Sequence, residues 1–192
     1  MRIFVFSMAL ILPMLQGCFP LVAGGAAAGV GGAVLVAEDR RTVGSITEDQ
    51  EIEFKARARV AEQVKEPTHI SVTSYNRTVL LTGQAPSEEI KKQVEALVAD
   101  MSNVRAIEND IQIAAPSSLT SRANDSYLTS KVKARMLDAK QFQANHVKVV
   151  TENNVVYLLG LVTRKEAEAA TEIARTTEGV QKVVKVFEYV TL

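Results

Sequence analysis

The chain has 192 residues and carries 22 basic against 22 acidic side chains, so bulk charge selects neither nucleic acid nor any other polyion as a partner. It has no tryptophan and few aromatic residues, which excludes a large stacking platform for single-stranded nucleic acid. A single cysteine, Cys18, excludes an internal disulfide.

At the amino terminus Arg2 precedes an apolar run over residues 3–15. About 13 residues cannot span roughly 30 Å of hydrocarbon as a helix, but they suit the apolar core of a secretory signal. The sequence Leu15-Gln16-Gly17-Cys18 that follows resembles a bacterial lipobox. That resemblance implies removal of residues 1–17 as a signal peptide and acylation of Cys18, since two or three acyl chains hold a protein stably where one does not. The alternative for Cys18 is a buried structural thiol. Phe19 stands where retention in the inner membrane would show aspartate, which by analogy directs the lipoprotein to the outer membrane, facing the periplasm. Residues 21–37 are uncharged and rich in Gly and Ala. Within 18–46 they read as a tether between lipid and folded body, with membrane-surface contact or a buried hairpin as alternatives. Folded structure is expected from about Thr47.

The rest of the chain repeats itself. ISVTSYNRTVLLTG, starting at Ile70, aligns without gaps with VKVVTENNVVYLLG, starting at Val147, at an offset of 77 residues. Each reads as a hairpin: an alternating strand, a polar turn (Asn76-Arg77 or Asn153-Asn154) and a second strand ending in glycine. His69 and His146 share the offset and open the first strands, so they read as equivalent structural positions rather than a metal pair. Apolar residues at helical spacing follow each hairpin, Ile90, Val94, Leu97, Val98 and Met101 in the first copy and Ala167, Ala170, Ile173 and Ala174 in the second. Both helices open on cap residues, and Thr163 with Glu166 makes the stronger capping box. Closing strands follow over 104–113 and 180–190, further helices precede the hairpins over 48–64 and 125–138, and the Pro- and Ser-containing stretch 114–123 reads as a linker. The expected fold class is therefore α+β. Two tandem α-β-β-α-β units, 47–113 and 124–192, would each pack two helices on one face of a three-stranded mixed sheet.

The duplicated unit resembles the BON domain, through VLLTG (79–83) and VYLLG (156–160) at the hairpin ends and Gly179-Val180 at the last strand. The first copy departs from that pattern with Asn103-Val104, which bears on the turn. The order of lipobox and two such units is similar to outer-membrane lipoproteins of that family. The resemblance implies binding to an anionic phospholipid membrane, recruitment to the division site, support of outer-membrane integrity and a link to the outer-membrane protein assembly complex. It also implies that the opening helix of the second unit meets the membrane, with an aromatic residue at the position of Tyr127.

Charge distribution bears on which unit would meet lipid. Residues 47–115 hold 8 basic and 12 acidic side chains, a net of −4, whereas residues 122–192 hold 11 and 8, a net of +3. Each Lys or Arg near anionic lipid is worth about 1 kcal/mol within a Debye length, so the second unit suits such a surface and the first would be repelled. In the opening helix of the second unit, Leu128, Val132, Met136 and Ala139 fall on one stripe that should face the sheet. Tyr127 and Leu137 lie off that stripe, interleaved with Lys131, Lys133, Ala134 and Arg135, the expected phospholipid-binding set. The alternative is that Tyr127 and Leu137 pack on the first unit and the lysines only solvate a helix.

Nothing in the sequence assembles a catalytic centre. Cys18 is committed to the lipobox, the two histidines lack partners at ligand spacing, and there is no Gly-rich phosphate loop or HExxH run. Acidic pairs such as Glu51 with Glu53 and Glu166 with Glu168 read as solvated helix faces. The expectation is a non-enzyme with no cofactor, no metal, no small-molecule substrate and no nucleic acid. Two other classes stand beside lipid binding. One is a protein-interaction adaptor of the assembly machinery, working through the acidic first unit or through sheet faces left uncovered by helices. The other is a periplasmic spacer.

Overall fold

The computed structural model describes residues 39–191. The expected signal peptide, Cys18 and the Gly/Ala-rich segment lie outside the described residues. The first helix, α1 (Val43–Gln63), starts before the expected Thr47 because Thr42 caps it, its hydroxyl accepting the Ser45 amide at 3.1 Å. β1 (His69–Tyr75) and β2 (Thr78–Ala85) then pair antiparallel, ending with Tyr75 opposite Thr78. Between them Asn76 and Arg77 have φ of 49° and 64°, the two-residue turn whose twist matches the strands. α2 (Glu88–Ala99) crosses over to β3 (Ala106–Asn109) and β4 (Gln112–Ile113), both parallel to β2.

The closing strand expected over 104–113 is thus broken, and the first sheet has four strand segments rather than three. At the break Ile111 turns into the core and the Asn109 side chain accepts its amide at 3.2 Å. The second unit opens on α3 (Leu119–Ala139), which begins inside the expected linker because Ser118 accepts the Ser121 amide at 3.1 Å. The linker is also tied down, since the Ser117 amide donates to Gln84 Oε1 on β2 at 2.8 Å. After a 3-10 turn (Ala144–His146), β5 (Val147–Glu152), β6 (Val155–Val162), α4 (Arg164–Arg175) and β7 (Lys182–Tyr189) repeat the pattern as a three-stranded sheet. Thr163 and Glu166 form the complete capping box, whereas at the start of α2 the Ser87 hydroxyl accepts the Ile90 amide and no third-position carboxylate answers it.

Each unit packs its two helices on one sheet face. Ile52, Ala56 and Val60 of α1 meet Ile90, Val94 and Val98 of α2 over Val72, Val79 and Leu81; Val132 and Met136 of α3 meet Ala167, Ala170 and Ala174 of α4 over Val149, Val156 and Leu158. The opposite faces are not left open. Leu80 and Tyr75 of the first sheet pack on Tyr157 and Leu159 of the second, so the layers run helix, sheet, sheet, helix. This corrects the expectation that uncovered sheet faces are available to a partner: they cover each other. Polar contacts ring the joint. Lys148 Nζ donates to Glu53 at 2.8 Å, Gln84 Nε2 to the buried Glu152 at 2.8 Å and the Tyr157 hydroxyl to Asp110 at 2.8 Å, while Arg105 pairs with Glu188. Burial, and behind it the Asp110 carboxylate, raises the Tyr157 phenol above its ordinary range, so it stays a donor.

His69 opens β1 as expected, whereas His146 ends the 3-10 turn just before β5, and the carbonyl oxygen of each lies against a glycine of the paired strand. A Cβ at Gly83 would lie 1.9 Å from the His69 carbonyl oxygen, and one at Gly160 would lie 2.4 Å from that of His146. Gly83 also has φ of 109°. Gly83→Ala should therefore lower stability by about 3 kcal/mol, read as a shift of the urea midpoint at unchanged slope. The departure at Asn103 keeps the turn: it adopts φ of 69° where Gly179 adopts 97°, and asparagine tolerates that region better than most side chains.

Candidate functional site

α3 carries the candidate site. Leu128, Val132 and Met136 are buried on its inner stripe, with Ala139 partly buried beside them. Outward, Tyr127 and Leu137 are each 62% exposed, and Lys133 and Ala134 between them are exposed as well. Neither apolar tip is therefore absorbed by packing on the first unit. At 100° and 1.5 Å per residue, Tyr127, Ala134 and Leu137 follow one another along a crest about 15 Å long, with Lys133 on one flank and Lys131 on the other. Among the described residues no helix is long and apolar enough to cross a membrane.

The three expected cations are not equivalent. Lys133 has no ion-pair partner among the described residues and lines a cavity of about 400 Å³ at the joint, together with Leu137, Asp39, Arg41 and Lys148. Lys131 donates to Glu178 Oε2 at 3.1 Å and to the Glu178 carbonyl at 3.2 Å, with its ammonium 5.9 Å from the Tyr127 ring. Arg135 departs from the expectation of a lipid-facing cation. It donates to the Ile173 carbonyl at 2.9 Å, Thr177 Oγ1 at 2.7 Å and Thr176 Oγ1 at 3.2 Å, satisfying the carboxyl end of α4.

Two buried aspartates shape the site, and spacing alone did not reveal them. Asp125 of α3 accepts the Asn153 and Asn154 amides at 2.9 Å each, and Asp49 of α1 accepts those of Asn76 and Arg77 at 2.7 Å each. Each carboxylate fixes the opening helix of its unit to the hairpin turn and so sets how far the outer face projects. The available signal was an aspartate near the start of each opening helix combined with asparagine in each turn.

A further cavity of about 500 Å³ also borders Leu137, lined by Lys140, Phe142, His146, Arg40 and Glu166. Burial pushes the Glu166 carboxyl up, yet hydrogen bonds from Arg40, from the amide and hydroxyl of Thr163 and from His146 outweigh it and hold the pKa at about 2, against an ordinary 4.5. A depressed carboxylate pKa contributes stability above the unfolded value that is lost as pH falls through the folded one. Acid should therefore loosen this corner between about pH 4.5 and 2, and Glu166→Gln should flatten that part of a stability-versus-pH curve measured by urea unfolding. Among the described residues no group of three or more His, Cys, Asp or Glu is placed to hold a metal ion.

The BON domain family matches residues 48–115 and 124–191. The chain is 39% identical over 177 residues to the outer membrane lipoprotein DolP of Haemophilus influenzae, covering 91% of this chain and 90% of that one. It is 35% identical over 154 residues to a 21 kDa hemolysin of Actinobacillus pleuropneumoniae, covering 79% of each chain. To the osmotically inducible protein Y of Escherichia coli it is 28% identical, with 73% of this chain and 72% of the relative covered.

Proposed function

Because this chain belongs to the BON family, as an outer-membrane lipoprotein with two BON domains, we propose that it docks on anionic phospholipid through the outward face of α3 and so supports outer-membrane integrity at the division site. The observation that carries this reading is the exposure of Tyr127 and Leu137 on one crest flanked by Lys133, in the domain of net charge +3. The two tips enter the headgroup layer and the lysines meet phosphate. Lys131 joins them at little cost, because its partner Glu178 is 93% exposed and a surface pair of that kind is worth about 0–1 kcal/mol. The first domain, at −4, is held away from the surface by its own charge. Two or three cations and two apolar tips make a weak, salt-sensitive contact. Acylated Cys18 supplies residence on the membrane, and α3 supplies the choice of lipid.

The test is sedimentation of the full mature chain, made non-lipidated by Cys18→Ser, with vesicles of phosphatidylglycerol or of phosphatidylcholine. Binding to the anionic vesicles alone, falling as salt is raised, is the expected result. Equal binding to both, or binding indifferent to salt, removes the reading.

A further inference from the structure

The residues Asp39, Arg40 and Arg41 lie across the joint between the domains, at the end of the arm that leads back to Cys18. Arg40 holds the second domain: its guanidinium donates to the Leu161 carbonyl at 2.9 Å and to both Glu166 oxygens at 2.7 and 3.0 Å. Arg41 holds the first, donating to Asp49 Oδ2 at 2.8 Å with its guanidinium 4.0 Å from the centre of the Tyr75 ring. Asp39 locks Arg41 in place by accepting from its Nη2 at 2.7 Å, its Nε at 3.2 Å and its amide at 2.9 Å. All three side chains are less than one-fifth exposed, which separates them from ordinary surface ion pairs.

The same three residues line the two cavities that border the end of α3. Asp39 and Arg41 line one together with Leu137, and Arg40 lines the other, which Leu137 also borders. Through Glu166 they also reach His146, 3.3 Å away in the 3-10 turn that closes the loop leaving α3. We infer that Asp39–Arg41 form a strap that positions the lipid-docking surface: it steadies the Leu137 end of α3 and makes the anchored arm leave the body beside it, so that anchor and crest reach the same leaflet. This rests on the reading of α3 as the docking helix.

Chain length favours the same geometry. Twenty residues separate Cys18 from Asp39. A body of about 150 residues is about 40 Å across, so an arm that had to round it would spend much of its length before reaching the bilayer. An arm leaving the far side would turn the crest away from its own bilayer. One leaving beside Leu137 turns the crest toward it and raises its effective concentration there.

The experiment uses the mature lipoprotein with Asp138→Cys, an exposed position next to Leu137, carrying a fluorophore. The label is unique because Cys18 is the only native cysteine and is taken by the anchor. The protein is reconstituted sparsely in phosphatidylglycerol-containing vesicles, with quencher lipid placed either in the host vesicles or in vesicles added afterwards. Host quenching should exceed quenching by added vesicles several-fold. Arg40→Ala with Arg41→Ala should cut host quenching several-fold and raise deuterium uptake at 137–146 while α1 and α2 stay protected. Inserting about 30 Gly/Ser residues after Glu38, strap intact, should cut it several-fold, because a longer tether lowers the effective concentration of the crest at the bilayer. If the double variant loses protection throughout, the insertion decides alone. Host quenching unchanged by strap loss in a folded variant, or unchanged by the insertion, overturns the inference, as does quenching by added vesicles only. Quenching from neither source would instead remove the docking reading itself.

Discussion

Tyr127→Glu should abolish sedimentation of the full mature chain with phosphatidylglycerol vesicles and leave its thermal unfolding unchanged. The ring is 62% exposed and no core contact depends on it, so the folded state loses little and the expected change in stability is within about 0.5 kcal/mol. At the membrane the substitution removes an amphipathic aromatic and adds a carboxylate facing anionic headgroups. Losing the ring's insertion costs about 1 kcal/mol or more, and a charge near the surface is worth about 1 kcal/mol. Together these give about 2 kcal/mol, roughly a thirtyfold fall in affinity. Leu137→Glu should act alike from the other end of the crest. Lys131→Ala should do less, because that ammonium is already shared with Glu178. Retained binding in both glutamate variants would show that lipid is met elsewhere on the molecule.

The second large effect is expected at the joint. Leu80 and Leu159 are both 0% exposed, yet each points away from the helices of its own domain and into the other sheet. Leu159→Ala should cost about 2–5 kcal/mol, the range for a fully buried leucine that leaves a cavity. Because the two sheets are each other's cover, the domains should also lose structure together. Urea unfolding followed at α1 and α2 and at α3 and α4, by residue-resolved amide signals, should give coincident midpoints that move together in Leu159→Ala. Widely separated midpoints, or a loss confined to the second domain, would mean that the joint contributes little. Expressed alone, the second domain would expose Tyr157, Leu159 and the partly buried Val184 and Val186 as one apolar face, so the proposed lipid contact is better tested in the full chain.

What was legible in the sequence was what a local period encodes. The 77-residue offset places both hairpins and both histidine–glycine contacts, and the stripe Leu128, Val132, Met136 faces inward as its spacing requires. The crest on α3 follows from the same arithmetic, since residues off a helical stripe must project. The sheet-on-sheet joint is a different kind of fact. Its signal was present in β6, where Val155-Val156-Tyr157-Leu158-Leu159 runs apolar without alternation, the mark of a strand buried on both faces. Charges conceal such information further. Lys131, Lys133 and Arg135 read alike in the chain, and only tertiary structure shows that Arg135 is committed to the carboxyl end of α4 while Lys133 is not committed. The strap was hidden for a related reason: four charges closing a Gly/Ala-rich stretch look like a solvated boundary until Glu166 and Asp49, far away in sequence, are found opposite Arg40 and Arg41.

The most direct measurement is a residue-resolved amide titration of the non-lipidated mature chain with phosphatidylglycerol nanodiscs. Line broadening and shifts should gather on the outward positions of α3, from Tyr127 through Lys133 and Ala134 to Leu137, while α1 and α2 stay quiet. Changes centred on the first domain, or on the open edge of β7, would contradict the assignment of α3 as the surface that meets lipid.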